Sequence, residues 1–250
     1  MKKITLLSFA AALFFLTSCE TTREISIADN GSGTILTTMD MSSMMGIAKM
    51  SGKTEELGKQ TALDTTISFA TLLDSIPDLG PQDKELLKKG TMGMVMNMEN
   101  EQFLAKISFP FSNVSEITKL QSLTGKMMQE AMKKQMEGKG PGEMGGEGDL
   151  PSGAFDDYFK STFTAGLIEM KLNKEKYATI GEDKNMQGMK EAMGQGLPMV
   201  NKWIIHLPKP AKKVEGAYAK LSEDKKTVTI ENDMNEFFDD ATKLEFRVEY

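Results

Sequence analysis

The sequence predicts an α+β fold, in which an antiparallel sheet is built from hairpins with two-residue loops and each hairpin leads into a helix on one face of the sheet. Two observations predict this class. Apolar residues alternate with polar ones on both sides of a short polar stretch at four places along the chain. After each of these places, a capping residue precedes an apolar pattern of helical period.

The clearest hairpin joins MGMVMNM to FLAKISF around a loop at Asn100-Glu101. This register gives apolar pairs on one face and directs Lys106 outward, and a slip of one residue would destroy the pattern. Pro110 ends the second strand, and Ser112 or Asn113 is expected to cap a helix that continues to about residue 136. The expected pairs are Met98–Phe103, Met96–Ala105, Met94–Ile107 and Met92–Phe109.

Three further hairpins are predicted around Asn30-Gly31, Lys174-Glu175 and Asp224-Lys225. Helices should follow from about Ser42, from about Asp183, and from a cap at Asp233 or Asn235 through about Ala241. The expected pairs are Ile27–Thr34, Ile25–Leu36, Leu172–Tyr177, Met170–Thr179, Leu221–Val228 and Ala219–Ile230.

The remaining elements are strands over residues 65–69, 203–207 and 244–250, and a helix over 81–88 that starts at Pro81. Residues 138–153, GKGPGEMGGEGDLPSG, contain seven glycines and predict a flexible loop. This loop separates an α+β half at 24–137 from a second one at 154–250. Because the two halves have a similar plan, a two-lobed molecule is left open.

The N-terminus has the features of a signal peptide over residues 1–18. Two lysines precede an apolar run over 4–16, which is shorter than the ~20 residues of a spanning helix. The next residues, Leu16-Thr17-Ser18-Cys19, resemble the lipobox of bacterial lipoproteins. The resemblance implies cleavage before Cys19, a diacylglycerol on its thiol, and often an acyl chain on the new amino group.

Such a chain is anchored to a membrane by its acyl groups, with residues 19–23 as lipidated N-terminus and short tether. Glu20, rather than Asp, follows the cysteine, and this favours the outer membrane over the inner one. Residues 20–23 lack a dense acidic cluster, which favours the periplasmic face over the cell surface. The membrane is therefore the first expected partner.

Composition argues against several kinds of chemistry. Loss of Lys2 and Lys3 lowers the formal net charge from −6 to −8, so nucleic acid is not an expected partner. With Cys19 acylated, no disulfide is expected, and one histidine gives no basis for a zinc site or another cofactor. Triad chemistry would need His206, which the WIIHLP pattern places half-exposed on a strand, opposite Trp203.

Paired carboxylates are the remaining enzymatic option. Asp156-Asp157 and Asp239-Asp240 are adjacent in sequence, and neighbouring side chains point away from each other on strands and helices alike. Both pairs are therefore expected on solvated faces. A hydrolase that uses carboxylates alone is the third hypothesis for the function.

The 21 methionines are the strongest compositional signal. Two sets fall on single helical stripes, which is typical of core packing but also of an apolar groove for a lipid or a partner helix. Thioethers are also ligands for soft metals such as Cu(I) or Ag(I). The candidate surface residues are Met127, Met128, Met132, Met136, Met186, Met189 and Met193.

The sequence thus predicts a lipid-anchored, non-enzymatic protein of the cell envelope. Its expected role is binding or structural, through an apolar, methionine-rich surface for a lipid or an envelope protein. A soft-metal chelator based on methionine is the alternative hypothesis.

Overall fold

The computed structural model describes residues 19–43, 62–71, 73, 79–97, 99–125, 155–194 and 199–250. Within these ranges, no helix is both long and apolar enough to cross a membrane. The fold is α+β, as predicted, with twelve strands in two sheets that are antiparallel except for one pair of strands. The strands are β1 (Cys19–Ile27), β2 (Gly33–Asp40), β3 (Ala62–Ser68), β4 (Thr91–Asn97), β5 (Gln102–Phe111), β6 (Phe159–Thr164), β7 (Leu167–Leu172), β8 (Met199–His206), β9 (Lys213–Gly216), β10 (Ala219–Leu221), β11 (Thr227–Asp233) and β12 (Phe246–Glu249).

The larger sheet has eight strands in the order β10-β11-β8-β1-β2-β5-β4-β3. Its centre is the parallel pair of β1 and β8, in which Ile25 lies beside Ile205. Because β1 comes from the N-terminal half and β8 from the C-terminal half, the two halves share one sheet. The described residues therefore do not divide into two lobes at residues 138–153.

The smaller sheet has the order β6-β7-β12-β9, and the chain passes between the sheets at Gly216. This glycine has φ +144°, and a Cβ there would lie 3.0 Å from the Cβ of Phe246. A residue without a side chain is therefore required where β9 ends and the chain turns into the larger sheet. The sheets contact each other through the rings of Trp203 and Phe246, whose centroids are 5.7 Å apart.

Within the described ranges, five helices lie between the strands and pack against the same core. Pro81 begins the first, as predicted, and the Asp183 carboxylate caps the fourth by accepting the N–H of Asn185 and of Met186. The helices are α1 (Pro81–Leu87), α2 (116–125), α3 (Lys174–Tyr177), α4 (Lys184–Gly194) and α5 (Glu236–Asp240).

Three of the four predicted hairpins are present, and their registers agree with the prediction only in part. Helices follow β5 and β11, whereas the helix predicted from about Ser42 lies mostly outside the described residues. For β10–β11 the predicted pairs Ala219–Ile230 and Leu221–Val228 are confirmed. For β1–β2 the prediction is wrong by one residue, because Ile25 pairs with Ile35 and not with Leu36. The loop there spans residues 28–32, and the change of one residue makes Ile35 the buried residue.

The β4–β5 prediction is wrong by two residues. Met94 pairs with Ala105 and Met92 with Ile107, since the loop contains four residues, 98–101, and not two. The Asn97 side chain accepts the N–H of residues 99 and 100 and so holds the longer loop. A shift of two residues conserves the faces, and Ile107 is buried while Lys106 is exposed, as predicted.

The predicted hairpin around Lys174-Glu175 is wrong, because residues 174–177 form α3. The Asn173 side chain accepts the N–H of Lys176 and caps this short helix. The strand before it, β7, pairs instead with β6 across a tight turn at Ala165-Gly166.

Candidate functional site

One end of the larger sheet contains Cys19, and we call it the Cys19 end. Strands β1 and β8 start here, and β2, β4 and β11 finish here, because their directions alternate around the parallel central pair. Cys19 lies beside Met199 in the ladder, and Glu20 pairs with Asp40. Residues 20–23, which the sequence assigned to a tether, are therefore part of strand β1.

A methionine patch lies on the same face of the sheet as Cys19. The registers align Thr21 with Met39, Met39 with Ala105, and Ala105 with Met94, while Met96 faces Phe103. All five of its side chains are half-buried, in contrast to the fully buried residues farther along the same strands. The patch consists of Met39, Met94, Met96, Phe103 and Met199.

The segment after β2 is fixed across this end by short hydrogen bonds. The N–H of Met41 donates to the carbonyl of Phe103 at 2.8 Å, and the N–H of Phe103 donates to Ser42 Oγ at 3.0 Å. Ser43 follows, and its Oγ lies 3.1 Å from the Sγ of Cys19. Cys19 therefore lies between Met199 of the parallel strand and the hydroxyl of Ser43, and it is half-buried.

Carboxylates lie at the same end of the sheet as the patch. Glu20 and Asp40 are paired in the ladder, and Glu99 and Glu101 lie in the β4–β5 loop at the same end. The Cys19 end thus combines half-buried thioethers with acidic side chains. Among the described residues, no group of three or more His, Cys, Asp or Glu side chains could hold a metal ion.

The predicted helical methionines fall into two groups. Met186, Met189 and Met193 lie on α4 and are only 1%, 7% and 5% exposed, so they belong to the core. They do not form an accessible surface, and that part of the prediction is wrong, because their stripe packs inward as the buried side of an amphipathic helix. Met127, Met128, Met132 and Met136 lie outside the described residues.

Peroxide oxidation should separate the core methionines from the patch. We expect Met94 and Met96 to form sulfoxides several-fold faster than Met186 and Met193, because peroxide must reach the thioether. Peptide mass spectrometry after timed exposure of the native protein measures both sets in one sample. Unfolded protein, in which all sites should react alike, is the control, and equal rates in the native protein would contradict the burial of α4.

His206 lies on the face opposite Trp203 and is half-exposed, as predicted. Its Nε2 is 3.0 Å from Glu24 Oε1, and its Nδ1 is 3.3 Å from Thr227 Oγ1. These types of residue can form a catalytic triad, but Thr227 faces His206 inside an antiparallel ladder, and its N–H donates to Ser222 Oγ. That N–H is therefore engaged and is not free to stabilise an oxyanion beside the hydroxyl.

Asp239 and Asp240 are both exposed, as predicted, and Asp240 accepts hydrogen bonds from Thr242. Asp239 and Asp240 line a cavity of about 350 Å³ together with Tyr177, whose hydroxyl donates to the carbonyl of Phe237. A hydrogen bond from Thr242 lowers the pKa of Asp240, so this carboxyl stays ionised. A carboxylate pair in hydrolysis needs one partner with a raised pKa, and Asp240 has the opposite shift.

Asp156 has a role that the sequence did not indicate. Its two oxygens accept hydrogen bonds of 2.8 and 2.5 Å from the guanidinium of Arg23, which also lies 4.8 Å above the ring of Trp203. The Asp156 side chain is 38% exposed, so the predicted solvated face is confirmed in part, but its carboxylate is bound to Arg23. Because 133 residues separate the two partners, no local pattern in the sequence could have revealed this pair.

Tyr158, two residues after Asp156, is buried and connects this segment to α4. The hydroxyl of Tyr158 donates to Asp183 at 2.8 Å, and this carboxylate also caps α4. Burial, and then the bond to Asp183, raises the pKa of Tyr158 to about 12. Tyr158 therefore remains a neutral hydrogen-bond donor at physiological pH and links the segment that follows the glycine-rich stretch to α4.

No family model, curated protein sequence or solved structure matches this chain. The fold therefore provides no functional analogy, and function must be inferred from the residues of the site.

Proposed function

We propose that this protein is a non-enzymatic component of the bacterial cell envelope that is anchored to the membrane through acyl chains on Cys19. The observation that carries the proposal is the order of the N-terminal features: two lysines, an apolar run and the box Leu16-Thr17-Ser18-Cys19.

The acyl chains would dominate the association with the membrane. Each buried CH₂ group contributes ~0.8 kcal/mol, so two or three chains exceed the ~1 kcal/mol that each nearby charge contributes at an anionic surface. The acidic residues at the Cys19 end therefore do not prevent anchoring. Glu20 after the cysteine favours the outer membrane, and the lack of a dense acidic cluster in residues 20–23 favours its periplasmic face.

The binding or structural role is proposed for the methionine patch rather than for the helical stripes. The patch provides half-buried apolar side chains beside the anchor, where a lipid or an envelope protein could contact them. Soft-metal chelation, the alternative, loses support from Met186, Met189 and Met193 because these residues are buried. The described acidic pairs likewise give no support to a hydrolase.

The anchor is tested by replacing the proposed lipidation residue. Cys19→Ala should abolish incorporation of a fatty-acid analogue and leave the precursor uncut or cut elsewhere, because no thiol is present to accept diacylglycerol. The measurement is metabolic labelling followed by mass spectrometry of the N-terminal peptide. Ser18→Ala, which retains a small residue before the cysteine, is the matched control and should label normally.

Equal labelling of wild type and Cys19→Ala would refute the proposal of a lipoprotein. Fractionation of the two membranes on a density gradient then tests the location, and the wild type should accompany the outer membrane.

A further inference from the structure

We propose that the Cys19 end of the eight-stranded sheet rests directly on the bilayer surface, with the strands rising away from the membrane. This inference rests on the acylation of Cys19 proposed above. It concerns the partner surface of that site, which is a phospholipid headgroup layer of no net charge.

The first step is that the acylated residue, Cys19, belongs to strand β1 and is not separated from the sheet by a linker. Cys19 is itself a residue of β1 and lies beside Met199, and Glu20 is paired on one side with Asp40 and on the other with Val200. A flexible linker would allow the body to tumble at a distance from the membrane. Here the acylated residue belongs to the ladder, so its position relative to the body is fixed.

The second step is the location of β1 within the sheet. Three strands, β8, β11 and β10, lie on one side of it, and four lie on the other, β2, β5, β4 and β3. The anchor is therefore near the middle of the sheet and not at an edge. An anchor in the middle brings the ends of the flanking strands, rather than one flat face, to the headgroups.

The third step is the chemistry of this end. Met199 and Phe103 are half-buried apolar side chains close to the anchor, and Met96 lies opposite Phe103. Side chains of this kind are suited to the boundary between headgroups and acyl chains. The carboxylates of Glu99 and Asp40 would be repelled by anionic lipids, and this is why a surface without net charge is the expected partner.

The fourth step is the distance between the two ends of the sheet. Strand β1 has nine residues, which at about 3.3 Å each extend about 30 Å from Cys19 to the β1–β2 loop. Asp29 in that loop is exposed at the far end of the sheet, whereas Asn100 in the β4–β5 loop is exposed at the Cys19 end. The two loops therefore report on opposite ends of the same sheet.

The experiment uses the full acylated protein in phosphatidylcholine vesicles. Cys19 is the single cysteine of the chain, so Asn100→Cys and Asp29→Cys each provide one free thiol for a fluorescent label. A nitroxide on the lipid headgroup quenches fluorophores only at short range. We expect quenching of the label at position 100 to be at least several-fold stronger than quenching at position 29.

A linker variant provides the matched control. Ten Gly/Ser residues inserted between Cys19 and Glu20 would span about 18 Å on average and should remove most of the difference between the two labels. Equal quenching at positions 100 and 29 without the insertion, or stronger quenching at 29, would overturn the proposed orientation.

The acyl mass on Cys19, measured before reconstitution, distinguishes the two proposals. An unacylated Cys19 would overturn both the lipid anchor and the orientation. Acylated protein that shows equal quenching at both positions would overturn the orientation alone.

Discussion

Replacement of Phe237 by alanine is expected to lower the free energy of unfolding by about 4 kcal/mol. Phe237 is fully buried on α5, and its ring centroid lies 4.8 Å from that of Phe155, 5.4 Å from Tyr177 and 5.5 Å from Tyr158. These rings belong to separate segments, so the cavity left by alanine could not close without moving several elements. Urea denaturation of residues 19–250, followed by circular dichroism, measures the loss.

The neighbouring Phe238 is the matched control. It is half-buried and lies on the same short helix, with its ring 5.3 Å from that of Phe237. Phe238→Ala removes a similar side chain with the same change in helix propensity, yet it should cost less than half as much. Equal losses for the two variants would show that Phe237 is not at the centre of this cluster.

Local signals in the sequence were sufficient to predict the strand register where the side chains of a loop fix the conformation of that loop. In the β10–β11 loop, Asp224 accepts the hydroxyl of Ser222 and the N–H of Lys226, and these short-range contacts specify the register. The final strand, predicted over 244–250, is present over the shorter range Phe246–Glu249, and its inward face was predicted correctly because Phe246 and Val248 alternate with charged residues and are buried. The strand period alone determines which side chains point inward.

The β1–β2 register could not be predicted because two turn signals overlap. Asn30-Gly31 favours a two-residue loop, yet Asn30 Oδ1 accepts the N–H of Ser32 and the N–H of Gly31 donates to Ala28. The resulting five-residue loop changes the inward face of β2. For β7, the true partner β6 ends at Thr164, and the turn that follows contains Gly166, which has φ +99°. A single glycine in that stretch was too weak a signal to predict the turn.

The Cys19 end depends on long-range pairing, which sequence patterns do not encode. Met199 reaches Cys19 only because β8 pairs in parallel with β1, and such a pairing requires a long crossover. Met94 and Ala105 lie near each other in the sequence, but the register that aligns them with Met39 joins three strands. The sequence therefore indicated the lipidated residue, and the surroundings of that residue come from the topology.

The second large effect on stability is expected when the ion pair between Arg23 and Asp156 is broken. We expect Asp156→Ala to lower the free energy of unfolding by about 2 kcal/mol, because the Arg23 side chain is only 15% exposed and would lose its counter-charge. This value is below the 3–5 kcal/mol typical of a fully buried pair, since the Asp156 side chain is 38% exposed and the pair is partly screened by water. Urea denaturation of the wild type and Asp156→Ala at pH 7 measures this loss of unfolding free energy.

Removal of the arginine should cost less than removal of the aspartate. In Arg23→Met, the apolar side chain can still pack on the ring of Trp203, and the carboxylate of Asp156 can turn towards water. The double variant Arg23→Met/Asp156→Ala should therefore be more stable than Asp156→Ala alone, because it contains no uncompensated charge. If the double variant were less stable than the wild type by the sum of the two single losses, the two groups would be independent, and the pair would not connect β1 to the segment after the glycine-rich stretch.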